Sequence, residues 1–373
     1  MPAPETVTPP LVSIIVPARN EEESLRACLE SLVAQEGISF ELIVIDDGST
    51  DRTREIAEAF LRSPVSIRIV DPPPLPQGWV GKNNAMTAGA KEARGKWFLF
   101  TDADTVHRPG SLVKAVAEAE DHHAEMLSYS PQQEVHGFWQ KAVMPVIFAE
   151  LAVTFRPSQV SDAKTEVAAA NGQYILISKD AYEAVGGHAA IATDLLEDVA
   201  LARIVKRSGR KIFFRYAPDA AHTRMYRSFA QLKEGWTKNL AVLFPQPQKL
   251  AAKRLTEFVL IIGSIAIAVF GVLNKQPETA LPASLIGLVT SGYFFRRIAK
   301  AHFAVDSTIL AVFGLPVFAY LLIRSALFHK KGGVVWKGRR YEPNLPRKES
   351  NLKGSNLKMR SFMPVTGQTK SGR

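Results

Sequence analysis

The chain has 373 residues, 46% of them hydrophobic, a formal charge of +10 and a single cysteine, Cys28. That length exceeds one small domain and allows a sizeable core with an appendage. One cysteine excludes an internal disulfide and suits a reducing compartment. The basic excess gathers beside apolar segments and in the tail, which favours a membrane surface over nucleic acid as its counterpart.

Residues 1–10 are proline-rich and read as a flexible lead. They lack a basic region followed by an apolar stretch, so no secretory signal is read and the first domain is expected in the cytoplasm. Leu11 to Val16 reads as a fully buried strand. Pro17-Ala18-Arg19-Asn20 is a loop, and Glu21 to Leu25 opens a helix with Asn20 as its expected cap. Leu25, Cys28, Leu29 and Leu32 give that helix an apolar stripe, so Cys28 is expected in the core. Phe40 to Ile45 is the next strand and ends in Asp46-Asp47-Gly48-Ser49-Thr50-Asp51. A helix over Arg52 to Leu61 and a strand over Val65 to Val70 follow. This alternation predicts an α/β fold with a mostly parallel sheet and helices on both faces.

In such a sheet ligands bind beyond the carboxyl ends of the strands. Arg19-Asn20-Glu21, Asp46-Asp47 and Asp102-Ala103-Asp104 all fall on that rim, the last following the short apolar strand Lys96 to Thr101. Two carboxylates where a strand opens into a loop suit a hard divalent cation, whose shell a diphosphate can complete. A surface turn accounts equally for a D-x-D triplet alone, and a turn with a helix cap accounts for Asp46 to Ser49. No glycine-rich turn follows the first strand, so a dinucleotide fold is not indicated.

Taken in order, Pro17 to Glu21, Asp46 to Asp51 and Asp102-Ala103-Asp104 resemble the family 2 glycosyltransferases of the GT-A fold. The resemblance runs from about Leu11 to Phe244 and implies a Rossmann-like catalytic domain over 11–244. It implies that Pro17, Ala18, Arg19, Asn20, Glu21 and Asp47, with Asp46 on the same rim, meet the nucleobase and ribose of a nucleotide sugar. It further implies Mg2+ or Mn2+ bridging Asp104 to the donor diphosphate, with Asp102 nearer the ribose or sugar; Asp102 and Asp104 are the candidate metal residues. Gly78-Trp79-Val80-Gly81-Lys82 looks like the pattern of lipid-directed members linked to carotenoid and hopanoid pathways. Lys82, at the start of the helix Asn83 to Ala93, is placed to neutralise phosphate, although lysines there are commonly plain surface residues.

His107 is a candidate third metal ligand, its ordinary reading being a satisfied loop histidine. Gly137 to Phe155 carries Lys141 and Glu150, so it is expected not to span a bilayer. It reads either as an amphipathic helix on the membrane face or as a core helix. Glu197-Asp198 falls where the family keeps its E-D motif, which makes Asp198 the catalytic base and Glu197 its support. The plainer alternative is a pair of acids at a helix N-terminus. Arg224 or Arg227 is a candidate diphosphate contact. Gln231 precedes Gly235-Trp236 without the arginine of the processive synthases' Q-x-x-R-W, which argues against polymer synthesis. Trp236 is read as stacking on the acceptor or as a membrane-interface tryptophan.

Leu255 to Leu273 and Thr279 to Phe295 each approach the roughly 20 residues of a spanning helix. Lys249, Lys253 and Arg254 precede the first, and Arg296, Arg297 and Lys300 follow the second, which places both outer ends in the cytoplasm. Phe303 to Phe328 is long enough to cross, yet basic residues follow it too; a re-entrant hairpin split at Pro316 is expected. The membrane part is thus 245–328, with a basic tail over 329–373. Val334 to Tyr341 resembles a C-terminal motif of the lipid-directed relatives, and the residues beyond read as disordered.

The expected function is transfer of one sugar from a nucleotide-sugar donor, a UDP-sugar, to a lipid hydroxyl at the inner membrane, with inversion. Alternatives are transfer to polyprenyl phosphate, or a non-catalytic membrane protein on a degenerate transferase fold.

Overall fold

The computed structural model describes residues 10–330 and the short strands Val334–Trp336 and Arg339–Tyr341. In order, the first half holds β1 (Val12–Ala18), α1 (Leu25–Val33), β2 (Phe40–Asp46), α2 (Thr53–Glu58), β3 (Ser66–Val70), α3 (Gly81–Glu92), β4 (Trp97–Phe100), β5 (Thr105–His107), α4 (Ser111–Asp121), β6 (Met126–Ser130) and β7 (Gln132–Gln133). Then come α5 (Gly137–Thr154), α6 (Pro157–Ser161), β8 (Ile175–Ser178), α7 (Lys179–Ala184), α8 (Glu197–Arg207), β9 (Ile212–Tyr216), β10 (Ala221–Thr223) and α9 (Phe229–Leu243). Three long helices follow: α10 (Pro247–Leu273), α11 (Pro277–Ile298) and α12 (Val305–Lys330).

The main sheet runs β3-β2-β1-β4-β8-β6-β9. Neighbours from β3 to β4 are parallel, as are β6 and β9, while β8 is antiparallel to both its neighbours. The mostly parallel α/β sheet expected from the sequence is therefore present. β1 and β4 are buried almost throughout because both faces are covered. One face packs α1, α2 and α4, and the other packs α3, α7 and α8. Cys28 lies in the first of these cores.

Helix α1 starts at Leu25, four residues later than the acidic run suggests. Asn20 is not its cap. It takes a left-handed conformation, and its side-chain Oδ1 accepts from Thr50 N–H at 2.8 Å, so it joins the loops after β1 and β2.

A small sheet, β5-β10-β7, sits beside the main one. Thr105 pairs with Thr223, so Asp104 and Arg224, one step further along each strand, lie opposite each other.

The helical part has its own core, built from α5, α9, α10, α11 and α12. Inside it Arg254 bonds Glu150 at 3.0 Å and Glu257 at 2.9 Å, and Arg297 bonds the same two carboxylates at 3.0 and 2.8 Å. Two of the basic residues expected as surface markers of topology are thus internal partners of two glutamates. Glu150 also settles the choice for α5, which is a core helix whose large exposed side chains, Phe138 and Trp139, lie in its first turn.

The re-entrant hairpin is not formed. α12 continues as one helix through Pro316, whose fixed backbone angle a helix held on several sides tolerates. By length and composition Gly137–Ser161, α10 and α12 are the described helices able to cross a membrane; α11 is less apolar. Val334–Trp336 and Arg339–Tyr341 form an antiparallel pair, and the expected disordered tail lies outside the described residues.

Candidate active site

The loops that end β1 and β2 are laced together. Arg19 donates to the carbonyls of Asp47 and Gly48, Asp47 N–H bonds Ala18 O at 2.9 Å, and Glu21 N–H bonds Thr53 Oγ1 at 2.7 Å. Asp46 turns inward, where its carboxylate accepts Ser49 N–H at 3.0 Å and faces Arg54 at 3.7 Å. Pro17, Ala18, Arg19, Asn20, Glu21 and Asp47 thus share one rim, and Asp46 braces it from below.

A second group gathers where β4 ends. Lys82 Nζ lies 2.6 Å from Asp102 Oδ1 and 2.5 Å from Glu197 Oε1. Its helix and the loop leading to Glu197 are sewn together: Val80 N–H bonds Ala192 O at 2.8 Å, and the Asn83 amide bonds the carbonyls of Ile191, Ala192 and Asp194. Lys82 and Glu197, far apart in sequence, therefore meet on fixed backbone. Burial works against the Lys82 charge, but Asp102 and Glu197 outweigh it and hold the lysine above its ordinary pKa. Burial likewise opposes ionisation of Glu197, and Lys82 and Lys238 reverse that, so the Glu197 carboxyl sits below its usual range.

Asp198 is different. Its carboxylate accepts Val199 N–H at 2.7 Å and Gly172 N–H at 3.1 Å. Burial, followed by the neighbouring charge of Glu197, pushes it up to about 6. Glycine at 172 allows this convergence: a Cβ there would stand 3.2 Å from both Lys82 Nζ and Glu197 Oε1.

Asp198 lies on the wall of a cavity of about 1120 Å³. It is also lined by Phe148 and Leu151 of α5, by Phe155 just after it, and by Phe303 and Ala304 ahead of α12. Lys141, Arg156 and Lys300 also line it. Trp236 shows it an edge, but its ring is 3% exposed, packs on Phe148 and Tyr226, and points Nε1 at Met144 Sδ. That burial rules out the membrane-interface reading of Trp236. Asp104 opens instead on a smaller cavity of about 230 Å³, shared with Arg224, Arg227, Glu134 and His222. His107 is buried and bonds Thr101 Oγ1 at 3.0 Å, with its pKa lowered to about 3 by burial and by His222; it is a satisfied structural histidine.

Residues 13–186 match the model of glycosyl transferase family 2. Those residues are a family 2 glycosyltransferase domain. Over 344 residues the chain is 27% identical to the 4,4'-diaponeurosporenoate glycosyltransferase of Staphylococcus aureus strain USA300, covering 88% of each chain. The mannosyltransferase PcManGT of Pyrobaculum calidifontis, solved with GDP-Man and Mn2+, aligns with TM-score 0.51 and 17% identity over 87% of this chain and 88% of its own. S. aureus TarS 1–349 with UDP-GlcNAc aligns at TM-score 0.42 and 14% identity, over 90% of this chain and 97% of its own. The likeness to PcManGT bears on the fold, which is that of the GT-A transferases.

Three contributors to this candidate site are not legible in the sequence. Gly172 acts through its N–H, which no side-chain pattern announces. Asn83 sits next to the recognised Lys82 and was read only as helix. Lys238, whose charge Glu197 feels, lies on α9 beyond the family motifs.

Proposed function

We propose that this glycosyltransferase is anchored in a membrane and moves one sugar from a nucleotide-sugar donor, a UDP-sugar, to a lipid hydroxyl, with inversion. The observation that carries the proposal is the position of Asp198. It shares the space above Gly172 with Lys82, the partner of Asp102, and lines a large cavity to which the apolar helical part also contributes. A sugar donor on the rim and a lipid in the cavity would meet at that carboxylate. Membrane residence confines the acceptor to the same surface and lowers the cost of encounter.

In this reading Pro17 to Glu21 and Asp47 hold nucleobase and ribose, while Lys82 and Arg224 face the diphosphate. Asp198 takes the proton of the attacking hydroxyl. A pKa near 6 suits the task, since the group is ionised at neutral pH yet more basic than an ordinary aspartate. Gly172 and Val199 N–H groups fix its orientation. Glu197 keeps Lys82 in place and raises the basicity of Asp198.

The donor set fits Mg2+ or Mn2+. Asp102 and Asp104 are partly exposed oxygen donors at a strand end. Oxygens of a bound diphosphate and water would complete the shell. A bound ion would offset charge growing on the leaving diphosphate.

A carboxylate acceptor is the second reading. It is favoured by the acid in the relative's name and by Lys141, Arg156 and Lys300 on the cavity wall. Such an acceptor is already an anion and needs no base.

The test is product analysis in membranes given labelled UDP-sugars and Mn2+, repeated with Asp198→Asn. Label in a neutral, alkali-stable lipid that vanishes in the variant is the expected result. Alkali-labile label that survives the variant selects the carboxylate, and acid-labile phospholipid selects polyprenyl phosphate. Intact UDP binding with no labelled lipid from any donor overturns the enzymatic reading.

A further inference from the structure

We infer that α12 does not cross the bilayer but lies along it on the catalytic side, with its outward face in the lipid. The inference rests on the reading that α10 and α11 anchor the chain. By composition α12 is a better spanning candidate than α11. What decides against it is where its two ends are tied.

Helix α5 cannot change sides, because both its ends return to the α/β layer. It follows β7 of the small sheet, and α6 beyond it is bonded to β9 through Ser161 Oγ and Phe214 N–H at 3.0 Å. At its start α12 is tied to α5 by Asp306 and Lys141, 2.5 Å apart, and Asp306 and Ser307 line the cavity that holds Asp198. At its end α12 is tied to α9. Arg324 Nε donates to Thr237 Oγ1 at 3.1 Å, Ser325 Oγ accepts Ala241 N–H at 2.9 Å, and His329 Nε2 lies 2.8 Å from Lys238 O. Lys238 is the residue whose charge reaches Glu197. Both ends of α12 therefore lie at the level of the active site. A 26-residue helix is about 39 Å long, enough to put its ends on opposite sides of a roughly 30 Å hydrocarbon layer if it stood upright. It cannot stand upright and keep both sets of bonds.

α10 and α11 behave otherwise. Glu257 meets Arg297, Ser264 meets Gly287, and Gly271 meets Ala280, an antiparallel register along their whole length. If α10 crosses, α11 returns beside it. Their outer surfaces expose Val259, Ile265, Phe270, Leu281, Leu285 and Leu288.

The free face of α12 continues that surface. Val305, Ile309, Phe313, Tyr320, Ile323 and Leu327 are exposed at helical spacing down one side. Ala311, Leu315, Phe318 and Leu322 on the other side are buried in the helical core. Phe138 and Trp139, beside Phe313, widen the stripe with rings suited to the membrane interface. The occupant of this face is the acyl boundary of the leaflet on the catalytic side. Lys330 then stays on that side, and no re-entrant turn is needed to keep basic residues there.

The test uses the full chain in sealed, carbonate-washed membrane vesicles of both orientations and an impermeant maleimide. Cysteines replace exposed Arg62 on the catalytic domain, Lys275 between α10 and α11, and Lys330; native Cys28 is buried. Labelling of R62C and K330C from one side and of K275C from the other is expected. K330C labelled together with K275C overturns the inference. All three labelled from one side, or release of the protein by carbonate, overturns the anchor reading instead. Spin labels replacing Ile309, Phe313, Tyr320 and Ile323 give a second readout. Uniform shallow depth is expected, and a profile deepest at mid-helix overturns the in-plane placement.

Discussion

Replacing Glu197 by glutamine separates the charge on Asp198 from its position. Asp198 titrates near 6 first because it is buried and then because the Glu197 charge lies beside it. Glu197 Oε1 and the Asp198 side chain both flank the space above Gly172, at 3.2 and 3.7 Å, which puts them within about 7 Å of each other. Two unit charges at about 7 Å and an effective dielectric near 20 repel by about 2 kcal/mol. Lys82 stays in place in the variant, so the whole of this term is removed, about 1.5 pH units. Removing a negative neighbour eases ionisation, so the Asp198 pKa falls. A base works when ionised, so Glu197→Gln should carry activity about 1.5 pH units further into acid. The assay is kcat/KM for lipid glycosylation between pH 4.5 and 8 in native vesicles, with Asp198→Asn as reference, expected to lose about 10²–10⁴-fold. An acid limb that stays put or moves upward in E197Q would refute the assignment of that limb to Asp198.

Lys82→Met should move the same limb the other way, by up to about one unit, and should raise KM for the nucleotide sugar, both read from the same profiles. Chelation should abolish transfer and Mn2+ restore it, while Asp104→Asn should raise the metal concentration for half activity by at least about tenfold in a metal titration. Arg254→Met breaks the buried quartet with Glu150, Glu257 and Arg297, and should lower stability by about 3–5 kcal/mol, seen as a lower melting temperature in detergent. Gly314→Ala sets a methyl against the Ala142 carbonyl and should loosen α5 from α12, destabilising by about 1–3 kcal/mol in the same melt.

The sheet was legible because a strand buried on both faces has a pattern no surface segment imitates, as in Ile14-Ile15-Val16 and Phe98-Leu99-Phe100. The rim followed from it, since polar residues just past such strands have little other reason to be there. Helix starts were less legible. Glu21-Glu22-Glu23 is a convincing first turn until Asn20 and Glu21 are seen bonding to Thr50 and Thr53 across the loop. The candidate site was readable as separate parts but not as an assembly. Lys82 and Glu197 meet through side chains from distant segments, and Gly172 enters through its N–H to Asp198, so only their meeting in space makes them informative.

The helical part shows why charge and length together misplace a membrane helix. Counting Arg254 and Arg297 as surface cations assumed that basic residues near an apolar run face water. Both instead lie within the core against Glu150 and Glu257, and only Lys249, Lys253, Arg296 and Lys300 of that set remain to bias orientation. A window of apolar residues is equally blind to what lies beside it. α5 and α12 qualify by composition because each is buried against the other and against α9 and α10. α11 falls short, yet it runs antiparallel along the length of α10 and must share its environment. The apolar surface that matters is the one left outside after the protein has packed. On α12 that surface is a single stripe, and the polar residues Asp306, Arg324 and His329 are bonded to α5 and α9. A helix selected only for crossing would have no use for three such bonds at its two ends, whereas a helix that seats an active site on a lipid surface needs them.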